Sequence, residues 1–452
     1  MSTVLQNKLI LSVGSQQSSR TVVLGTARGT IYDRNMLPLN NTGSRYYGVL
    51  VPELKQLNRL KSDMSESEYQ RLKNELKEQR LLVANLTKVS YIGPKIYTFQ
   101  TPIRYDNQAV NSPLVGTTDE NSTTGISGIE KSYNALLNRY SGKISVSYPV
   151  NGVGDCSPEG PLKITNTLRK SKGGIQLSID ITVQKRLNNL VDNHLLEGSA
   201  LILDTKTAEL LAYSESTVNE TPSVTEHIQL LAQCTCALPQ KIVIAAAALE
   251  SGLTAEQTLL CSGQLTLGET TYTCSNPLGH HLLNMQEAFA QNCPLYFIQL
   301  AQQLGDETLH KTAKSLGLYD AIELAEGIVA HAAPLKENFL NYKFTITPLH
   351  LAQVAAILAN EGTKNTPTAV LGTVNESKEQ TPKIQGRGVY ALSKQSAKKL
   401  KDVIKPYFYE DTGDTRLSIG LTSQYVVVIV SKDPATNQQT LQELYQEISN
   451  LM

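Results

Sequence analysis

The chain has 452 residues, 41 Lys+Arg against 41 Asp+Glu and 40% hydrophobic residues, which excludes a disulfide miniprotein, a disordered chain and a basic nucleic-acid binder. At about 100–200 residues per domain it holds two or three domains with ample core. Its apolar run around Ile242–Leu249 is far shorter than the roughly 20 residues of a membrane helix, and no small-residue cleavage site follows the patch Leu9-Ile10-Leu11, so neither a span nor a signal peptide is expected.

In chain order, Arg28-Gly29-Thr30-Ile31-Tyr32-Asp33-Arg34-Asn35 reads as a short strand running into a turn. Residues 52–82 are rich in Glu, Lys, Arg, Leu and Gln, which predicts one or two exposed helices, with Ser65 and Glu68 as a capping box. The stretch 152–174, rich in Gly, Pro, Ser and Lys, marks a domain boundary. It divides the chain into 1–165 and 175–452.

Beyond the boundary, apolar spacing predicts a helix over 182–196. A hairpin follows, with arms 200–203 and 209–212 around the polar turn Asp204-Thr205-Lys206-Thr207. Helical patterns cover 240–250, 285–304 and 348–360; strands return at 417–421 and 425–431, and 441–451 reads as a closing helix. Strands at both ends of a helical middle indicate an α+β domain whose antiparallel sheet joins early and late strands and is flanked by helices. The six cysteines, at 156, 234, 236, 261, 274 and 293, form no CxxC pair and accompany no histidine cluster, so neither a zinc site nor a cofactor is expected. Cys261 and Cys274 either bridge, in an oxidising compartment, or are free thiols.

The chain resembles the class B penicillin-binding proteins, the cell-wall transpeptidases. In the first half, the 28–35 segment, Arg104-Tyr105 ahead of Gly116, and Gly125-Ile126-Ser127-Gly128-Ile129-Glu130-Lys131 are similar to motifs of the family's elongated, dimerisation-type pedestal. In the second half, Leu177-Ser178-Ile179-Asp180 with Gln184, the hairpin 200–214, and Thr347-Pro348-Leu349 with Ala359-Asn360-Glu361-Gly362 follow in the family's order. The resemblance implies a pedestal domain followed by a penicillin-binding transpeptidase domain.

Fold alone does not establish chemistry. The family's working set is S-x-x-K, an S-x-N element and K-T-G. Ser and Lys three apart on a helix share a face, so the amine assists removal of the hydroxyl proton, while K-T-G places a cation and a backbone edge against the substrate. Here, anchoring on Lys241-Ile242-Val243-Ile244 puts Leu238 at the nucleophile position; anchoring on Pro239 puts Lys241 there, with Ile244 in place of the lysine. Neither register supplies a serine. Cys234, Thr235 and Cys236 precede Pro239 and are expected on a loop, and Lys241 reads as a surface or ion-paired lysine.

The resemblance puts Asn292 and Pro294 where serine and asparagine belong, and Asp411-Thr412-Gly413 where K-T-G belongs. With Asp411 for lysine, an attraction of about 4 kcal/mol for a carboxylate at about 4 Å and an effective dielectric of about 20 becomes repulsion. Asp411 and Asp414 are either solvated turn residues or a pocket for a cation. Leu340-Asn341-Tyr342 stands where a glycine-rich turn is expected. Ser396-Ala397-Lys398-Lys399 satisfies S-x-x-K but reads as a solvated helix face. His280-His281, adjacent and therefore pointing apart, read as a loop beside the cleft rather than metal ligands.

These readings imply a catalytically silent penicillin-binding-protein homologue, a scaffold or partner in peptidoglycan synthesis and cell division. The alternative is an active D,D-transpeptidase that binds penicillin through a non-standard nucleophile. By resemblance the partners are a membrane glycan polymerase or other envelope proteins, and the location is the extracytoplasmic face of a bacterial membrane. The family's membrane anchor would end just before Gln17, which implies a shortened chain or a misplaced start; with Met1 native, a cytosolic protein results.

Overall fold

The computed structural model describes residues 19–91, 93, 95–106, 112–119, 123–156, 160–216, 228–331, 339, 344–404 and 407–452. The segments Leu9-Ile10-Leu11 and Leu340-Asn341-Tyr342 lie outside them. Among the described residues no helix is long and apolar enough to cross a membrane.

The first half carries two three-stranded sheets, one of Ser19–Ala27, Gly142–Pro149 and Lys163–Asn166, the other of Gly43–Leu50 between Leu82–Leu86 and Ile96–Ile103. Two helices, Leu54–Arg59 and Glu66–Glu75, cover the second sheet. Ser65 accepts from the Glu68 amide, but the Glu68 carboxylate turns to Arg71 and Asn85, so the cap is one-sided. The three sequence-distant motifs of this half meet at one buried carboxylate. Glu130 takes the Arg28 Nε at 3.0 Å, the Arg104 Nε at 2.7 Å, the Asn40 amide at 3.0 Å and the Tyr105 hydroxyl at 2.9 Å. A charge that deep is tolerable only with such partners.

The same 28–35 segment fastens onto the second half. Thr30–Tyr32 pairs in parallel with Gly174–Leu177, which continues antiparallel into Val370–Val374. The amide of Arg34 donates to Ile179 O, and Asp33 accepts from the Ile181 amide.

The second half is built on a five-stranded antiparallel sheet in the order Leu210–Ser216, Gly198–Asp204, Tyr425–Ser431, Arg416–Leu421, Tyr407–Asp411. Early and late strands are thus neighbours, as the α+β reading expects. Alternation sets its two faces. Leu201, Leu203, Val426, Val428 and Val430 join the large core that holds helices Leu238–Glu250, Pro294–Leu304 and Pro348–Ala359. Ala200, Ile202, Val427 and Ile429 face helices Ile181–His194 and Gln438–Ser449. Helix Leu238–Glu250 is buried from Leu238 through Ala248, which explains its apolar run from Ile242 to Leu249. The helical stretch 285–304 is instead two helices, Met285–Ala290 and Pro294–Leu304, broken at Asn292, whose φ is +50°, and restarted by Pro294 in the first turn.

Candidate functional site

The candidate positions converge on the start of helix Leu238–Glu250, where Lys241 meets Asn292 and Glu410 meets the helix amides. Leu238 is fully buried in its first turn, its side chain part of the core. Cys234–Cys236 is not a loop but a short strand, paired with Phe344–Ile346, and the Cys234 thiol donates to Ile346 O at 3.2 Å. Burial contradicts the expectation of a surface Lys241. Only 5% of Lys241 is exposed, and its Nζ donates to Asn292 Oδ1. Desolvation holds this amine below the ordinary lysine range, while the nearby Glu410 carboxylate and the thiols of Cys293, Cys236 and Cys274 oppose the shift. Cys236 is pushed the other way, well above the ordinary thiol value, by its hydrogen bond with Cys234 and by burial. A protonated thiol is a weak nucleophile.

Asp411, Thr412 and Gly413 form the tip of the hairpin joining Tyr407–Asp411 to Arg416–Leu421. Asp411 is exposed, accepts from the Gly413 amide at 2.8 Å and lies 3.5 Å from Arg416 Nε. Thr412 bonds across the turn to Thr415 O, and Asp414 is exposed. The tip therefore leaves the cleft to the preceding residue. Side chains alternate along a strand, so Phe408 and Glu410 face the core while Asp411 faces outward. Glu410 is 5% exposed and accepts from the backbone amides of Ala237 at 2.8 Å and Leu238 at 3.0 Å.

The sequence analysis singled out Asp411 and not Glu410, the carboxylate that the fold seats on the helix start. The signal that could locate it is the period-two pattern of Tyr407-Phe408-Tyr409-Glu410, in which Glu410 falls on the apolar face. A carboxylate on the free amides of a helix start is favourable both as a charge-assisted hydrogen bond and toward the helix dipole. The consequence is chemical. Stabilising an acyl-transfer oxyanion requires free donors at about 2.7–3.1 Å, and the Leu238 amide is already committed to Glu410.

Of the other positions, Asn292 is exposed and reaches Lys241, whereas Pro294 is half-buried and only starts a helix. Ser396, read as solvated, is buried and accepts from the Ser393 hydroxyl, while Lys399 turns outward to Glu256. Residues that spacing alone did not group are brought together by the fold. Cys261, Cys274, His280 and Cys293 bring four ligand atoms within 4.8 Å of one another, and His281 alone of the histidine pair is exposed to solvent. All six cysteines are buried, and Cys261 and Cys274 are not bridged to each other.

Comparison with known proteins agrees with this architecture. Residues 198–419 match the penicillin binding protein transpeptidase domain. The chain is 30% identical over 185 residues to the peptidoglycan D,D-transpeptidase PbpA of Mycolicibacterium smegmatis, covering 36% of each protein. It is 24% identical over 332 residues to penicillin-binding protein PbpB of the same organism, covering 68% of this chain and 50% of that one. It therefore spans between about a third and a half of these relatives. A solved structure of a peptidoglycan synthase complex, described as coordinating polymerization and crosslinking, superposes with a TM-score of 0.64 at 16% identity, over 99% of this chain and 94% of its counterpart. With its matched segment built on the five-stranded sheet described above, the chain carries a penicillin binding protein transpeptidase domain.

Proposed function

We propose that this chain is a catalytically inactive penicillin-binding-protein homologue that serves peptidoglycan synthesis as a scaffold or partner, on the extracytoplasmic face of the membrane. The observation that carries the reading is Glu410 seated on the amides of Ala237 and Leu238. The chain's own carboxylate takes the donors an acyl intermediate would need, and the helix start beneath it offers an alkyl side chain in place of a hydroxyl. Among the described residues Lys241 bonds to Asn292 and to no hydroxyl. The intact cluster around Glu130 supports a retained pedestal, and the division at 1–165 and 175–452 belongs to the same proposal. A membrane glycan polymerase is the partner we propose, supported by the likeness to a peptidoglycan synthase complex.

One observation favours the other reading, an enzyme with a thiol nucleophile, because Cys236 lies within the electrostatic reach of Lys241. Fluorescent-penicillin labelling separates the two. We expect no labelled band under conditions that label an active transpeptidase. A band that disappears in Cys236→Ser, Thr235→Ala or Cys234→Ser would establish the alternative.

A further inference from the structure

A cavity of about 320 Å³ opens where the two sheets of the first half approach each other, at the lower end of the size range of small-molecule sites. Gly25 and Arg28 line it at the end of strand Ser19–Ala27, Arg45 and Tyr47 along Gly43–Leu50, and Thr101 and Arg104 at the end of Ile96–Ile103.

The strands are shaped around it. Strand Ser19–Ala27 carries a bulge between Val23 and Gly25, which re-aims the residues that follow. Gly25 then passes so near the second sheet that a Cβ there would fall 2.7 Å from Thr101 Cγ2. Arg45 stands directly opposite Thr101 on the paired strand, so these two side chains share a face with Tyr47, two residues on.

The lining is cationic. Arg28 and Arg104 are only 1% and 5% exposed and share a single carboxylate, Glu130. Arginine stays protonated at any depth, so two guanidinium groups against one carboxylate leave a positive charge beneath the surface. Burial disfavours the charged form of Arg28 and the neighbouring Arg104 adds to this, against the pull of Glu130. Arg45 brings a further charge: it is exposed, makes no ion pair among the described residues, and reaches only the Tyr47 hydroxyl, at 3.4 Å. Two other carboxylates stand near without lining the cavity. Asp106 accepts from the Thr42 hydroxyl, and Asp119 holds Thr123 and the Thr124 amide. A charge below the surface is screened less than one upon it, and the guanidinium fork matches the oxygens of carboxylates and phosphates.

We propose that this cavity binds a small organic oxyanion, a carboxylate or a phosphate monoester, with Arg45 holding its charged group beside the buried pair Arg28 and Arg104. Arg45 supplies the direct contact. The N–H groups of the buried pair are already spent on Glu130, Asn138, Asn41 and backbone carbonyls, so that pair contributes its field. The cavity has room for more than the charged group, and the ligand therefore carries an organic body. The inference stands whether or not the cleft is catalytic.

Isothermal titration calorimetry of the full chain at constant ionic strength tests it, with glycerol 3-phosphate and succinate as probes and uncharged glycerol as the control. The expected result is one saturable site with a Kd of about 1 mM or tighter for at least one of the two acids, and none for glycerol. Binding of glycerol 3-phosphate alone supports the proposal and identifies a phosphate ester; binding of succinate alone supports it and identifies a carboxylate. Affinity should fall about tenfold or more in Arg45→Ala. It should fall likewise in Gly25→Val, whose side chain occupies the cavity and leaves Arg45 in place, and stay unchanged in Arg139→Ala, an exposed arginine outside the cavity. Should Gly25→Val fail to fold, Thr101→Val keeps the shape, removes the hydroxyl and should weaken binding a few-fold. The proposal is overturned if neither acid binds at about 10 mM, if wild type and Arg45→Ala bind equally, or if Arg139→Ala loses as much. Affinity lost in Arg45→Ala but intact in Gly25→Val, or in Thr101→Val in its place, overturns the placement in the cavity.

Discussion

Glu410 takes over an anion site that the helix start would otherwise offer to a ligand, and this single placement has measurable consequences. Removing its carboxylate leaves two amides beneath the surface without acceptors, each costing about 1–3 kcal/mol. Glu410→Ala should therefore lower the unfolding free energy in urea by about 2–4 kcal/mol and Glu410→Gln by less, since the amide oxygen still accepts. No loss in Glu410→Ala would mean the carboxylate is not seated on the helix.

His350 is the second informative residue. It is buried, with Nδ1 2.8 Å from Thr347 Oγ1 and Nε2 2.9 Å from Asp320 O. Burial lowers its pKa below the ordinary histidine value. The unfolded chain then binds the proton more readily than the native one, so this contribution is complete above the unfolded value of about 6.5 and is lost as pH falls below it. Stability should decline between about pH 6.5 and 5 more steeply in wild type than in His350→Gln. Parallel pH profiles for the two proteins would count against this role.

Among the elements, the hydrophobic pattern reveals the helix and strand identities of the second half, while one-residue details escape it. The 285–304 stretch keeps helical spacing across its break, because Phe289 and Cys293 are buried on either side of the kink at Asn292. The Cys234–Cys236 strand is too short to carry its own period, and its partner Phe344–Ile346 lies more than a hundred residues away. At the hairpin tip, motif alignment favoured Asp411 because Thr412 and Gly413 follow it, yet the strand's alternation decides which side chain enters the cleft.

Two substitutions test element-level packing. A Cβ on Gly174 would sit 1.8 Å from Thr30 O, in the parallel pairing that joins the two halves. Backbone cannot retreat as a side-chain tip can. Gly174→Ala should cost about 1–3 kcal/mol or more, and wild-type stability in that variant would show the pairing to be slack. Restoring a hydroxyl by Leu238→Ser should cost about 2–5 kcal/mol, as for other large-to-small core changes, without producing penicillin labelling, because Glu410 still holds the Leu238 amide.

At the scale of the whole molecule, order and spacing of motifs make the architecture legible, since the segments around Arg28, Arg104 and Glu130 are separated in sequence but share one ion cluster. The four-ligand cluster is not legible in the same way. Its members, Cys261, Cys274, His280 and Cys293, are spread over the sequence and only the fold brings them together. Because Glu130 holds two buried guanidinium groups, Glu130→Ala should destabilise the chain by about 3–5 kcal/mol. A loss below 1 kcal/mol in urea unfolding would remove the cluster from the account of what joins the three motifs.

The central claim is that the cleft cannot form an acyl-enzyme. Intact-mass spectrometry of the reduced chain after prolonged incubation with excess penicillin tests it most directly: the account predicts an unchanged mass, and a covalent penicilloyl adduct mapped to Cys236, Thr235 or any other cleft residue would contradict it.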